Sequence, residues 1–557
     1  MMINFKKLSF RFLLLLILII ILPFQVNANT QSKLINQVKI GIRFGDSATP
    51  LVSMYSPSGL ELGYYIGNEF KSMISFIENE EIIIRKDSYF MEINGTFIEY
   101  DFDSQSDSYN TNIQGPIHIQ IGDKFDSLDE ANSFKKSLPD LMDNTYIVYE
   151  DGWRVWIGLY SSYSDAEAAF SNIKALISNA ELRIIAKDSK RIQVLNKSGK
   201  VLFMYNTSNE TYHFRPIPQK DNPSVIQLDG KSFRGTIIIN RYLDSDLTVI
   251  NQLDLEEYLY GVVPREISGD WPLEAQKAQA VAARSYAIVN LNRHKDYGFD
   301  LCSTIHCQVY GGYSSENPIT RRAVDETKGE VLTYNGKVVT AFYHSNSGGH
   351  TEDSESVWSN SLGYLRGVED PYSIGEPNDK WTKVYTREQI EEILASNGLS
   401  VGRLENITVE ERSKNGRVLK VVFYGSKGNK TLEKGQIRNI FGYNNIKSTW
   451  FDIMSNADST VKVLSDLNEL PQEIRTVNKY IITAEGIKEI ELQNKYMDNG
   501  NKMKVIPTPT GSDQYLFTGK GWGHGLGMSQ WGAKKMAEEG FKYKQILTHY
   551  YTGTKIE

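Results

Sequence analysis

Residues 253–294 read LDLEEYLYGVVPREISGDWPLEAQKAQAVAARSYAIVNLNRH, and this stretch restricts the fold more than any other in the chain. It predicts a helix from Trp271 to Leu291: Pro272 suits a first turn, Glu274 complements the helix dipole, and alanines dominate. Ala275, Ala278, Ala280, Ala282, Ala283 and Ala287 let neighbouring elements pack very close, as in a core helix. Arg284 stands among them. A long cation amid short side chains either meets a carboxylate in the interior or reaches into a cleft. Glu266 lies just before this helix, after Pro264-Arg265. A structural Glu266–Arg284 salt bridge is the plain alternative to a functional role for either residue.

Around this helix the pattern is α+β and multidomain, and 557 residues suffice for about three or four domains. Residues 36–110 alternate in strand fashion, with Asn94-Gly95 as a hairpin turn, and predict a β-rich module without evident chemistry. Residues 116–187 carry a half-repeat. IHIQIG leads to Ser127-x-x-Glu130, and WRVWIGLYS leads to Ser164-x-x-Glu167, both read as capping boxes that open helices. The resulting order, βαββαβ, predicts a four-stranded ferredoxin-like sheet with two helices on one face. Residues 228–557 mix helices with hairpins turned at Asn335-Gly336 and Asn415-Gly416, and predict one larger α+β domain.

The first 28 residues read as a secretory signal. Lys6, Lys7 and Arg11 precede an apolar run from Phe12 to Phe24, and Val26-Asn27-Ala28 offers a cleavage site. The run is shorter than the roughly 20 residues of a spanning helix, and an uncleaved anchor is the alternative. The chain is therefore expected outside the cytoplasm, in the cell wall or on the outer membrane face, touching a membrane only through this segment. A net charge of −7 argues against nucleic acid as a partner.

Three further groups carry candidate chemistry. His294, Cys302, His306 and Cys307 place two imidazoles and two thiols within one short stretch. Two Cys and two His make a closed tetrahedral zinc set, while a Cys302–Cys307 disulfide is equally natural in an exported chain. In AFYHSNSGGHTEDSESVWS, Tyr343 and His344 end a strand and Gly348 lies in the loop that follows, a common place for ligand contacts. In GKGWGHGLGMSQWGAKKMAEEG, glycine takes every second place from Gly519 to Gly527. No register of it satisfies G-x-G-x-x-G. Read as a strand, it has one bare face, with Trp522 and His524 on the other, and Ser529 caps a helix ending near Gly540.

The blocks EEYLYGVVPREI…WPLEAQKAQAVAARSYA, HCQVYGG, AFYHSNSGGHTEDSESVWS, YLRGVEDPY and GWGHGLGMSQWGA, in this order, resemble the sporulation stage II protein D (SpoIID/LytB) family. The βαββαβ segment resembles a SPOR domain, whose family binds peptide-stripped peptidoglycan glycan. The first resemblance implies a lytic transglycosylase with Glu266 as catalytic acid and Arg284 as its helper. It also implies a cleft lined by Tyr343, His344, Gly348, Trp522 and His524, and tips the Cys/His set toward a structural zinc. Such an enzyme attacks with the sugar's own C6 hydroxyl, so one carboxyl can serve as acid and then base. A water-using glycosidase needs two. The acid needs a raised pKa, so Arg284 is expected to bind substrate or a different carboxylate. The family also includes enhancers of cell-wall amidases, so a non-catalytic wall-binding partner of an N-acetylmuramoyl-L-alanine amidase is the second expectation. A wall or spore-coat scaffold is the third.

Overall fold

A computed structural model describes residues 36–455 except 77–79, 102–112, 140, 141, 143, 220–223, 243 and 244, the backbone of strands between 460 and 506, and residues 514–557. The signal segment expected at 1–28 lies outside the described residues. The architecture is α+β and built on several sheets.

Two large sheets enclose one core. The first runs, in spatial order, Leu301–Cys302, Gln37–Arg43, Thr248–Asp254, Thr236–Asn240, His213–Pro216, Leu60–Ile66 and Glu69–Phe76. The second has ten strands, from Leu182–Ile185 at one edge to Lys231–Phe233 at the other. Val38 and Ile40 of the first sheet meet Ile82, Ile84 and Phe203 of the second in a single buried cluster, which also takes in Tyr258, Val262, Ala280 and Ala283.

Residues 36–110 are therefore not a free-standing module. Gln37–Arg43 pairs antiparallel with Thr248–Asp254 and parallel with Leu301–Cys302. Local alternation reveals a strand but not a partner 200 residues away. The βαββαβ segment has the strand order fourth, first, third, second, every neighbouring pair antiparallel. Its helices Leu128–Ser137 and Tyr163–Leu176 pack on the face bearing Ile119, Ile121 and Ile157. Its second strand continues the sheet by pairing parallel with Val201–Asn206. The second helix is capped by Ser162, whose side chain accepts from the Asp165 N–H, two residues earlier than the Ser164–Glu167 box expected.

The region 228–557 is likewise not one domain. Lys380–Thr386, Gln514–Lys520 and Phe451–Ser455 form one small sheet and Leu404–Arg412, Val418–Gly425 and Lys430–Glu433 another. Together with helix Arg387–Ser396 they share a separate core around Trp381, Phe423 and Phe517. This unit is inserted between Tyr343-His344 and its parallel partner strand Met528-Ser529. The expected alanine helix runs Leu273–Val289. Its alanines serve two sides: Ala280, Ala283 and Ala287 face the main core, while Ala278 and Ala282 face a third cluster with Met528, Ala533, Ile546 and Tyr550.

Candidate active site and metal centre

Helix Leu255–Glu266 begins at Asp254, whose side chain accepts from the Glu256 N–H at 2.8 Å. It ends where Ile267 turns to extended backbone, so Glu266 is its last residue and its carboxyl leaves the helix half-buried. The Val309 N–H donates to it at 3.2 Å, and the Tyr343 hydroxyl and the Gln530 carboxamide are the further donors that face it from two other segments. Burial pushes the carboxyl above its ordinary value of 4.5, and these donors with the Arg265 charge only partly oppose that rise.

Each donor is itself held. Gln308 Nε2 donates to the Tyr343 oxygen at 3.0 Å, and Tyr258 donates to Gln308 Oε1 at 3.1 Å. The Tyr343 oxygen is thus an acceptor for Gln308, which leaves its O–H free to serve the neighbouring Glu266. Gln530 opens helix Gln530–Glu538, which Ser529 caps by accepting from the Gly532 N–H at 3.2 Å. Gln530 Nε2 also reaches Gln279 Oε1 at 3.5 Å. Half-buried indoles of Trp271 and Trp531 lie with ring centroids 4.8 Å apart, on segments that adjoin Glu266 and Gln530.

His294, Cys302, His306 and Cys307 come together with all four ligand atoms within 4.8 Å of one another. The Cys302 Sγ–His306 Nδ1, Cys307 Sγ–His294 Nε2 and Cys307 Sγ–His306 Nδ1 separations are 3.7, 3.4 and 3.5 Å. A tetrahedral zinc with ordinary Zn–S and Zn–N lengths has an S–N edge of about 3.6 Å, so the donor set fits that ion. Both thiols are free. Phe44 and Phe299 pack on the His294 ring, and the strand Leu301–Cys302 is fixed against Ile40 and Gly41. Two residues beyond Cys307 stands Val309, whose N–H meets Glu266.

The remaining candidates lie elsewhere. Arg284 is 1% exposed and forms a two-point pair with Glu256, Nε to Oε1 at 2.9 Å and Nη2 to Oε2 at 2.6 Å. Its Nη1 donates to the Glu330 carbonyl. Arg284 is thus an interior strut rather than a cleft residue, and its carboxylate partner is Glu256, not Glu266. His344 points away from Tyr343, as neighbours on a strand do, and its Nδ1 meets the Leu526 carbonyl at 3.1 Å. His524 lies beside it, ring centroids 5.5 Å apart. Burial and the Arg438 and Arg417 charges push His524 down to about 3, so it is neutral.

The glycine run is not a strand beyond Lys520. Gly521, Gly523, Gly525 and Gly527 all take positive φ, and a Cβ on Gly527 would stand 2.0 Å from the Phe342 carbonyl oxygen. Bare backbone is needed there for close approach, not for an open face. Gly348 serves the same packing, as a Cβ on it would meet Gly521 N at 2.7 Å. Trp522 bridges to Asn346 and lies under the Lys447 ammonium at 4.5 Å. Neither Trp522 nor His524 is among the hydrogen-bond donors to Glu266. The run's contribution to that carboxyl is Gln530, three residues past its last alternating glycine. No local spacing marks that glutamine, and the Val309 contact is made by backbone and has no side-chain signature.

Comparison with known proteins places the sequence among relatives. A family model described as a stage II sporulation protein (SpoIID) matches residues 243–334, and one for a domain of unknown function (DUF8618) matches 373–467, within and just before the inserted unit. An uncharacterized protein of Brachyspira hyodysenteriae is 31% identical over 330 residues, 59% of this chain and 73% of that protein. An amidase enhancer of Bacillus subtilis is 33% identical over 334 residues, 59% of this chain and 45% of that protein. Stage II sporulation protein D of Bacillus subtilis is 28% identical over 325 residues, 55% of this chain and 75% of that protein. The stretch matched as SpoIID contains Glu266 and all four Cys/His residues, and with these relatives it shows that the chain belongs to the SpoIID family.

Proposed function

We propose that the chain is a lytic transglycosylase that cuts peptide-stripped peptidoglycan glycan strands. The observation that carries this reading is Glu266: a half-buried carboxyl of raised pKa whose hydrogen-bond partners are an amide, a phenol and a carboxamide rather than a second carboxyl. Protonated Glu266 gives its proton to the glycosidic oxygen as the bond to muramic C1 breaks. The carboxylate left behind is stabilised by the Val309 N–H and the Tyr343 hydroxyl. It then takes the proton of the C6 hydroxyl as that oxygen bonds to C1, closing the 1,6-anhydro ring and restoring the acid. No water is activated, so one carboxyl suffices. Trp271 and Trp531 supply flat apolar faces for the sugars beside it.

His294, Cys302, His306 and Cys307 would hold a zinc ion. With four protein ligands it would supply structure, tying the strand Leu301–Cys302 to the loop that presents Gln308 and Val309. The chain acts outside the cytoplasm in this reading, with its N-terminal segment as signal or anchor. The likeness to an amidase enhancer favours a second reading, a non-catalytic partner of a wall amidase. Digestion of stripped glycan strands decides between them by mass spectrometry. Anhydromuramic ends support the transglycosylase, reducing ends indicate hydrolysis, and the absence of any product leaves the enhancer.

A further inference from the structure

Behind the strand that carries Tyr343 lies a cavity of about 590 Å³, with Trp358 and His524 on one wall and Gln436, Arg438, Asn439 and Tyr443 of the inserted unit on the other. Tyr343 lies beside Glu266, whereas Phe342 packs on Trp358 and His524, and His344 on His524, behind the cavity wall. Trp358 is 39% exposed and Tyr443 51%, yet both are held in place. Trp358 rests on Phe342 at 4.4 Å between centroids, and Lys434 Nζ donates to the Trp358 and Glu355 carbonyls at 2.6 and 2.8 Å. Tyr443 donates its hydroxyl to Asn439 and lies 4.9 Å from the Arg438 guanidinium carbon.

The charge is equally specific. Arg438 is 8% exposed, its Nε donates to the Ile446 carbonyl at 3.0 Å, and among the described residues no carboxylate forms an ion pair with it. The Lys434 ammonium is occupied by two carbonyls, and His524 is neutral. A guanidinium without an ion pair therefore lines the cavity beside the Tyr443 ring, with the Trp358 ring, two amide groups and Glu433 in the same lining. A largely buried cation without a counter-ion is costly, and a ligand carboxylate would offset that cost.

We propose that this cavity is a second binding site for the glycan strand, in which an acidic amino sugar stacks on Trp358 and Tyr443 and places its carboxylate on Arg438. The proposal rests on the reading that the chain acts on such strands. A muramic sugar freed of its stem peptide carries an ionised lactyl carboxylate. With the peptide attached, that group is a neutral amide. Arg438 thus distinguishes stripped strands from intact ones, and the inserted unit contributes binding and selectivity while Glu266 supplies the chemistry.

The test measures binding by the Glu266→Gln chain, at low salt, of stripped glycan strands and of neutral N-acetylglucosamine oligomers of similar length. Stripped strands should bind more tightly. Arg438→Gln should weaken stripped-strand binding about tenfold and leave the neutral oligomers unchanged, the worth of one charge-assisted hydrogen bond. Trp358→Ala and Tyr443→Ala should weaken both ligands. An Arg438→Gln chain that keeps its preference overturns the site, as does a Trp358→Ala chain with unchanged affinity. Should Arg438→Gln lower the melting temperature, the two exposed-ring variants decide alone. A wild-type chain that leaves strands uncut refutes the activity proposed above without touching this binding ratio.

Discussion

Glu256 and Glu266 sit at opposite ends of one helix, and the molecule gives them opposite partners. Glu256, in the first turn, is 8% exposed and closed by the two-point grip of Arg284. Glu266, the last residue, has an amide, a phenol and a carboxamide as its hydrogen-bonding neighbours and stays partly exposed. A buried carboxyl gripped at two points by a guanidinium is fixed in place and can only brace. A buried carboxyl without one is held close to its proton and can trade it. Partner charge, rather than residue type or depth, separates the strut from the candidate acid.

The comparison breaks most sharply at Glu266. Glu266→Gln should lower glycan cutting by about 10²–10⁴-fold, the range for loss of a general acid, as read by release of anhydromuramic products. The same change should not destabilise the fold. The folded carboxyl sits above 4.5, so the wild-type chain loses stability as pH rises from the unfolded value through the folded one. Glutamine has no such loss. The melting-temperature difference in favour of the variant should be near zero below pH 4 and grow above it. Arg284→Met should do the reverse, costing about 3–5 kcal/mol in denaturant unfolding because Glu256 is left buried and unpaired. If Arg284→Met keeps its stability but loses activity, the division between strut and acid is wrong.

The Cys/His cluster extends the contrast, because it touches the acid only through a loop. Cys307→Ser should lose zinc from the purified chain, measured by atomic absorption. It should cut about 10²-fold more slowly as the Val309 amide loses its position. The Glu256–Arg284 pair, held by helices, should be indifferent to the metal.

The sequence made the helices plain: an Asp at the cap, alanines on both packing faces, and Glu266 in a block whose resemblance named it. It could not show which glutamate Arg284 meets. Positions 256 and 266 are roughly 80° apart around a helix, and choosing between them requires the angle at which the second helix crosses. The alternating glycines were legible as a bare face but not as turns, because positive φ leaves no periodic mark in a sequence. Gln530 escaped for a different reason. Its role depends on a return of the chain across the whole inserted unit, and the sequence pattern from 380 to 520 reads as a continuation of the same domain.

The smallest effect tests how Glu266 is tuned. The Tyr343 hydroxyl stabilises the carboxylate and so holds its pKa below what burial alone would impose. Tyr343→Phe removes one hydrogen bond, worth about 0.5–1.5 kcal/mol, which corresponds to a rise of roughly half to one pH unit. A general acid must be protonated, so activity falls as pH rises through its pKa. The alkaline limb of the pH profile should therefore move upward in Tyr343→Phe, while the plateau rate drops because the carboxylate formed between the two proton transfers is less stabilised. An alkaline limb that stays in place with a reduced plateau would mean that Tyr343 acts on the sugar and not on the acid. A structural role in packing would lower the melting temperature without moving the limb. Tyr343 belongs to the Glu266 side of the comparison only if the limb moves.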